Sequence, residues 1–271
     1  MEYVTTQGVE VPALGLGTAR FDSTDVCRRA VEAALDIGYR HVDTAQIYGT
    51  EGAVGAAVST AAVDRDDVFV TTKLSESNRS RDRVLESTRQ SLAALRTDYV
   101  DLLLMHSPNS TVPLAETIGA MNDLRDEGIV RHVGVSNFSV DQLRRAMERS
   151  DAPILTNQVE YHPYRDQSAL LETCIDEGVV LTAYSPLAVG KVTSNATLAE
   201  IGDRYGKTAA QVALRWLLQQ EMVAAIPKAA GRDHLRENFD VFDFALADDE
   251  MRAVFEGTGG PIDGLRDRLG L

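Results

Sequence analysis

A strand-like segment followed by a helix-like one recurs eight times along this chain, and that alternation restricts the fold more than any other feature. The strand-like segments are Leu14–Gly17, Arg40–Asp43, Val68–Lys73, Val100–Met105, Val130–Val135, Thr156–Glu160, Val179–Tyr184 and Val223–Pro227. Val68–Lys73 is rich in β-branched residues, and Val100–Met105 is apolar apart from Asp101. Between the strands the apolar period lengthens to that of a helix. Ser23 suits the cap of a helix carrying Val26, Ala30 and Ala34. Helices are expected over Glu51–Thr60, Ser80–Leu95, Val140–Arg149 and Ser168–Glu177. Pro113 suits the first position of a helix with Leu114, Ile118, Met121 and Leu124. A pair of helices, Leu198–Tyr205 and Thr208–Gln220, precedes the last strand, and Arg232–Phe239 and Asp248–Glu256 follow it.

Such alternation calls for a parallel sheet with right-handed crossovers. Eight units within 271 residues match a closed (β/α)8 barrel. An open doubly wound sheet would want G-x-G-x-x-G after the first strand, and Gly15-Leu16-Gly17-Thr18-Ala19-Arg20 lacks the third glycine. No linker or low-complexity stretch divides the chain, so one domain spanning residues 1–271 is expected. Ahead of the barrel, Tyr3–Thr6 and Val9–Val11 flank Gln7-Gly8 and read as a small β-hairpin over one end of the core.

Charge and composition exclude several roles. A net charge of −14 argues against nucleic acid or an anionic membrane as partner. No run of about 18 apolar residues exists to span a membrane. The first residues, MEYVTTQGVEVP, lack a basic-then-apolar signal pattern, so a cytoplasmic location is expected. Cys27 and Cys174 have no metal spacing and read as reduced core thiols. Four of the 27 basic residues are lysine and 24 of the 41 acids are aspartate. Such a surface suits a salt-rich cytoplasm, and a GC-rich genome also favours arginine. With lysine so scarce, one at a strand end draws the eye.

The strand ends carry chemistry. In a barrel they converge on one rim, where active sites lie. Gly17-Thr18 end the first strand, and Asp43 ends the second, with Tyr48 five residues on. Lys73 ends the third and His106 the fourth. Ser136-Asn137 end the fifth, Gln158 lies in the sixth, Tyr184-Ser185 end the seventh and Lys228 the eighth. Singly, each has a plain reading as a helix cap, a solvated strand end or a half-buried aromatic. Together they form a proton-transfer set. A phenol is a poor acid at its reference pKa of about 10. A lysine ammonium beside Tyr48 is expected to lower that value, and an aspartate to hold the ammonium. A histidine then orients a carbonyl oxygen towards the phenol. An alkoxide formed without a protein nucleophile implies hydride from a nicotinamide or flavin.

At this point the chain resembles the aldo-keto reductase family over essentially its whole length. The matching segments are GLGT at 15–18, GYRHVDTAQIYG at 38–49, VTTK at 70–73, LLLMHSPN at 102–109, GVSNF at 134–138, NQVEYHP at 157–163, AYSPLAVGK at 183–191 and IPKA with REN between 226 and 238. The resemblance implies a (β/α)8 barrel that binds NADP(H) across the rim and reduces a small-molecule carbonyl substrate; use of NAD(H) is left open by the chain's own departures from the pattern. It places the catalytic tetrad on Asp43, Tyr48, Lys73 and His106. It places nicotinamide contacts on Ser136, Asn137, Gln158 and Tyr184, with Gly17, Thr18 and Asp43 in the cofactor set. The pyrophosphate loop falls on Ser185, Leu187 and onward to Lys191, and adenine contacts on Glu237 and Asn238. Lys228 and His234 fall at the 2′-phosphate.

The chain also departs from the pattern. Ala229 stands where a serine or threonine is common, and His234 where arginine is common, so Lys228, with Arg232 or Arg236, would hold the 2′-phosphate. Ser107 replaces a tryptophan frequent in prokaryotic members, which should open the substrate pocket. The short glycine-rich tail after Phe255 resembles that of the short prokaryotic members that include 2,5-diketo-gluconate reductases. A monomer is expected. The rival reading is a non-enzymatic nicotinamide-nucleotide sensor, as in barrel-type channel subunits that keep the tetrad.

Overall fold

A computed structural model describes residues 1–108 and 111–256. Asn109 and the glycine-rich tail lie outside the described residues. Eight parallel strands form one sheet in chain order: β3 (Leu16–Gly17), β4 (His41–Asp43), β5 (Phe69–Leu74), β6 (Val100–Met105), β7 (Val130–Ser136), β8 (Ile154–Glu160), β9 (Val180–Tyr184) and β10 (Val223–Ile226). A bridge between Leu14 and Ala225, with Gly15 and Gly17 donating to the carbonyls of Ala225 and Pro227, brings the first strand against the last. This is the (β/α)8 barrel the alternation predicts. The first strand is shorter than expected because Leu14 and Gly15 pair only by an isolated bridge.

The helices wrap the outside in order: α1 (Thr24–Ile37), α2 (Glu51–Thr60), α3 (Arg81–Leu95), α4 (Leu114–Asp126), α5 (Val140–Glu148), α6 (Ser168–Glu177), α7 (Ala196–Tyr205), α8 (Ala209–Leu218), α9 (Arg232–Phe239) and α10 (Asp248–Glu256). Their caps explain their starts. Ser23 Oγ accepts from the Val26 amide at 3.2 Å, and Ser139 and Thr208 form reciprocal capping boxes with Gln142 and Gln211. Pro113 is the cap of α4 rather than its first residue, since its ψ of 133° is extended. Among the described residues no helix is long and apolar enough to cross a membrane.

Hairpin β1 (Tyr3–Thr6) and β2 (Val9–Pro12) closes the N-terminal end of the barrel. Gln7 and Gly8 both take positive φ, as a two-residue hairpin turn requires. Val11 packs inside the barrel with Leu102, Leu104, Leu155, Val180 and Ala224. Leu103 and Met105 of the same strand face the helices instead. The same period of two governs the other end. His41 and Asp43 share one face of β4, Thr71 and Lys73 one face of β5, and Thr156 and Gln158 one face of β8. The interior is therefore apolar at the hairpin end and polar at the opposite rim.

Candidate active site

Asp43 and Lys73, 2% and 0% exposed, form an ion pair between the ends of β4 and β5. Lys73 Nζ also donates to the Thr44 carbonyl at 2.9 Å. The second oxygen of Asp43 accepts from Gln158 Nε2 on β8 at 2.7 Å. Both oxygens of this buried carboxylate thus have partners, which is what keeps an ion pair tolerable away from water. Tyr48 sits on a turn of 3-10 helix, Gln46–Tyr48, that ends in Gly49 at a φ of 67°. Gln46 pins the turn: its Oε1 accepts from the Ser75 amide and from Asn78 Nδ2, each at 2.9 Å. Lys73 Nζ lies 5.0 Å from the centre of the Tyr48 ring. The His106 ring meets that of Tyr48 edge-on, with centroids 5.6 Å apart and planes at 84°.

The electrostatics differ from expectation at one point. Burial pushes the Tyr48 phenol well above its ordinary value, and the charges of Asp43 and Tyr184 add to this against a small opposing pull from Arg20. Lysine was expected to lower it. Lys73 commits its hydrogen bonds to Asp43 and Thr44, and Asp43 cancels the ammonium seen from the phenol. Burial also lowers Lys73, opposed by Asp43. His106 is brought down to about 4, by burial first and by Lys73 second. Its ring is therefore neutral at pH 7, and its Nδ1 is buried without a partner.

A second group of rim residues is tied to the first. Ser136 Oγ donates to the Gln158 carbonyl at 2.8 Å. Asn137, at a φ of 62°, donates from Nδ2 to the His106 carbonyl at 3.0 Å. Tyr184 OH donates to Asn137 Oδ1 at 2.9 Å. Thr18 Oγ1 and the Thr18 amide both donate to the Asp43 carbonyl, at 2.9 Å each. Gly17 has no room for a side chain: a Cβ there would lie 2.8 Å from the Ile226 carbonyl oxygen. Lys228 Nζ donates to the Arg20 carbonyl at 2.7 Å and lies 5.0 Å from the centre of the Phe21 ring.

The remaining expected residues stand apart from this network. The loop after β9 has positive φ at Ser185, Ala188, Val189 and Gly190. Leu187, at φ −98° and ψ 13°, precedes Ala188 at φ 48°. A right-handed residue followed by a left-handed one aims successive amides into one concavity suited to an anion. Lys191 lies 4.2 Å from the centre of the Tyr164 ring. On α9, His234 is exposed, Glu237 accepts from Thr208 Oγ1 at 2.7 Å and Asn238 is buried. Arg232 lies 3.3 Å from Asp36 and Arg236 3.8 Å from Asp233, both in solvent-exposed ion pairs. Three participants escaped the sequence reading: Gln46, which anchors the Tyr48 turn; Arg20, which receives Lys228; and Arg79, buried near His106. The first two lie inside or beside the matching motifs, but nothing in the motif says what they bond.

Similarity to known proteins agrees with this arrangement. The model of the Aldo/keto reductase family matches residues 13–256. An aldo-keto reductase of Mycobacterium tuberculosis is 42% identical over 259 residues, covering 95% of this chain and 90% of that protein. The methylglyoxal reductase DkgB of Escherichia coli O157:H7 is 37% identical, covering 90% of this chain and 92% of its own. A crystal structure provisionally described as a 2,5-diketo-D-gluconic acid reductase B superposes with a TM-score of 0.93 at 51% identity, covering 98% and 96% of the two chains. The Bombyx mori aldo-keto reductase solved with NADP superposes at 0.89 with 32% identity, covering 98% and 95%. With a buried Asp–Lys pair beneath a tyrosine and a histidine on the rim of a (β/α)8 barrel, the chain belongs to the aldo-keto reductase family, oxidoreductases that use nicotinamide cofactors.

Proposed function

We propose that this chain reduces aldehydes or ketones to alcohols with NADPH, Tyr48 supplying the proton. The observation that carries the reading is the Asp43–Lys73 ion pair lying under the Tyr48 ring, with His106 edge-on to the same ring. The reduced nicotinamide, when bound, supplies the hydride. Tyr48 holds its proton at neutral pH, because burial raises the phenol, and so is ready to donate to a carbonyl oxygen. Neutral His106 holds that oxygen beside the phenol through one ring nitrogen. Lys73 then offsets the charge left on the phenolate, and Asp43 with Gln158 keeps Lys73 in place.

For the cofactor, Ser136, Asn137 and Gln158 present the amides and hydroxyl that suit a carboxamide, and half-buried Tyr184 presents a ring for stacking. Gly17 lets the end of β3 close against the Ile226 carbonyl, and Thr18 ties that end to the Asp43 carbonyl, which sets the rim beside the cofactor. The amide concavity from Ser185 through Leu187 to Lys191 suits a diphosphate. Lys228 is the cation for the 2′-phosphate, with His234 six residues on, and Glu237 and Asn238 suit an adenine edge. NADPH is preferred and NADH accepted, since Ala229 offers no hydroxyl and His234 stands where an arginine is common. The reading extends to a single-domain, monomeric enzyme of the cytoplasm.

A panel of simple aldehydes and ketones, run with NADPH and NADH at low and molar salt, tests it. Steady turnover that is faster with NADPH is expected. Tight NADPH binding with no turnover of any carbonyl would replace it with the sensor reading.

A further inference from the structure

A chain of buried hydroxyls runs beside the Asp43–Lys73 pair. Thr18 Oγ1 donates to the Asp43 carbonyl at 2.9 Å. Thr50 Oγ1 lies 3.2 Å from Thr18 Oγ1, and Thr44 Oγ1 lies 3.0 Å from Thr50 Oγ1. Thr18, Thr44 and Thr50 are all buried. A hydroxyl has a single proton to give, and this fixes the order of the chain. Thr18 spends its proton on Asp43, so Thr50 donates to Thr18 and Thr44 donates to Thr50. Bonds aligned one way like this polarise one another.

Thr50 is an unexpected member of such a chain. It is the N-cap of α2, where a threonine ordinarily accepts from an amide of its own helix. Here the side chain caps no amide, and φ −105° with ψ −6° places the residue in the right-handed region. The Thr50 carbonyl alone starts the helix, accepting from the Ala53 and Val54 amides at 3.0 Å each. The hydroxyl is turned to the ends of β3 and β4 instead. Thr50 also follows Tyr48 by two residues, where the 3-10 turn leaves through Gly49. Its partner Thr44 is the residue whose carbonyl accepts from Lys73 Nζ at 2.9 Å. One hydroxyl thus joins the exit of the Tyr48 turn, the residue that holds Lys73, and Thr18 on the rim. The next residue offers a contrast. Glu51 accepts from Thr72 Oγ1 at 2.6 Å, and Thr72 alternates with Lys73 along β5, so that bond ties α2 to the face of the strand away from the ammonium.

We propose that Thr50 is a positioning residue for proton transfer. Its hydroxyl sets the Thr44 carbonyl and the end of the Tyr48 turn, and through them the 5.0 Å between Lys73 Nζ and the centre of the Tyr48 ring. This rests on the reading of the site as a carbonyl reductase. Valine at this position would keep the shape of threonine and accept no bond. The buried Thr44 hydroxyl would then lack an acceptor, which is costly, and Thr44 would turn to find another, drawing its carbonyl from Lys73.

The test measures aldehyde reduction with NADPH. Thr50→Val is expected to lower kcat by about tenfold or more with both KM values within about twofold, since a misplacement of about 1 Å at a reacting group costs up to about a hundredfold. Thr50→Ser keeps the hydroxyl and should recover most of the rate. Thr44→Val breaks the same chain from its other end, and the double variant should be no slower than the slower single one. Thr72→Val is the control: it loosens α2 without touching Thr44 and should leave kcat within about twofold. A readout independent of turnover uses the scarcity of lysine. With lysine isotope-labelled at Cε, the NMR signal lost in Lys73→Arg should move in Thr50→Val and stay in place in Thr72→Val. An unchanged kcat or an unmoved Lys73 signal in Thr50→Val would overturn the positioning role. So would a serine variant as slow as the valine one, or an equal loss in Thr72→Val. Absence of aldehyde turnover by the wild type, with the Lys73 signal still moved by Thr50→Val alone, would instead overturn the reductase reading and leave the hold on Lys73 standing.

Discussion

A neutral, half-buried His106 links catalysis to acid stability. In the fold its pKa is about 4, against an ordinary 6.5. Below pH 6.5 the unfolded chain takes up a proton that the folded chain refuses, so stability falls with pH until about 4, where both states are protonated. Each unit of separation is worth about 1.4 kcal/mol. Between pH 7 and pH 5 the unscreened shift would remove roughly 2 kcal/mol of stability, and because the ring is only half-buried, solvent screening brings this to about 1 kcal/mol. That is measurable against the roughly 5–15 kcal/mol typical of a folded protein. His106→Gln keeps a polar side chain and removes the titration. Urea unfolding of both proteins at pH 7 and pH 5 should show the variant losing about 1 kcal/mol less than the wild type over that interval. His41, also near 4 through burial, contributes equally to both proteins and cancels in the difference. Equal losses in the two proteins would mean that His106 is charged or solvated in the fold, and the neutral hydrogen-bonding role would fall with it.

Tyr48→Phe should cut carbonyl reduction by at least about a hundredfold while NADPH still binds, and steady-state kinetics with a fluorescence titration checks both. Lys73→Met leaves Asp43 buried without its counter-charge, and should destabilise the fold by about 3–5 kcal/mol in urea titrations. The double variant Asp43→Asn, Lys73→Met should lose less than the two single variants summed, and strict additivity would argue against a coupled pair. Lys228→Met should weaken NADPH by roughly ten- to a hundredfold and leave NADH nearly unchanged, read as dissociation constants. His234→Arg should widen the preference for NADPH, and a preference for NADH in the parent protein would count against this account of the site.

The barrel was legible because its signals are local. Periods of two and 3.6, a serine at the start of α1 and glycines where helices stop are each written within a few residues. Strand-end positions follow from that period alone, so Asp43, Lys73, His106 and Ser136 could be placed on one rim without coordinates. Adding the family pattern named the role each would take. The errors lie where distant segments meet. Nothing near Lys73 in sequence says that its donors go to Asp43 and Thr44, or that the phenol is therefore raised rather than lowered.

Arg79 marks the division most clearly. In sequence it is one of many arginines in a polar loop, and a solvated surface is the natural reading. Only the packed structure buries it and leaves its guanidinium without a hydrogen bond among the described residues. Local hydrophobic period determines which elements form and which way their side chains alternate. Charge, burial and hydrogen-bond partners depend on which segments share a low-dielectric volume, and that is decided only when the barrel closes.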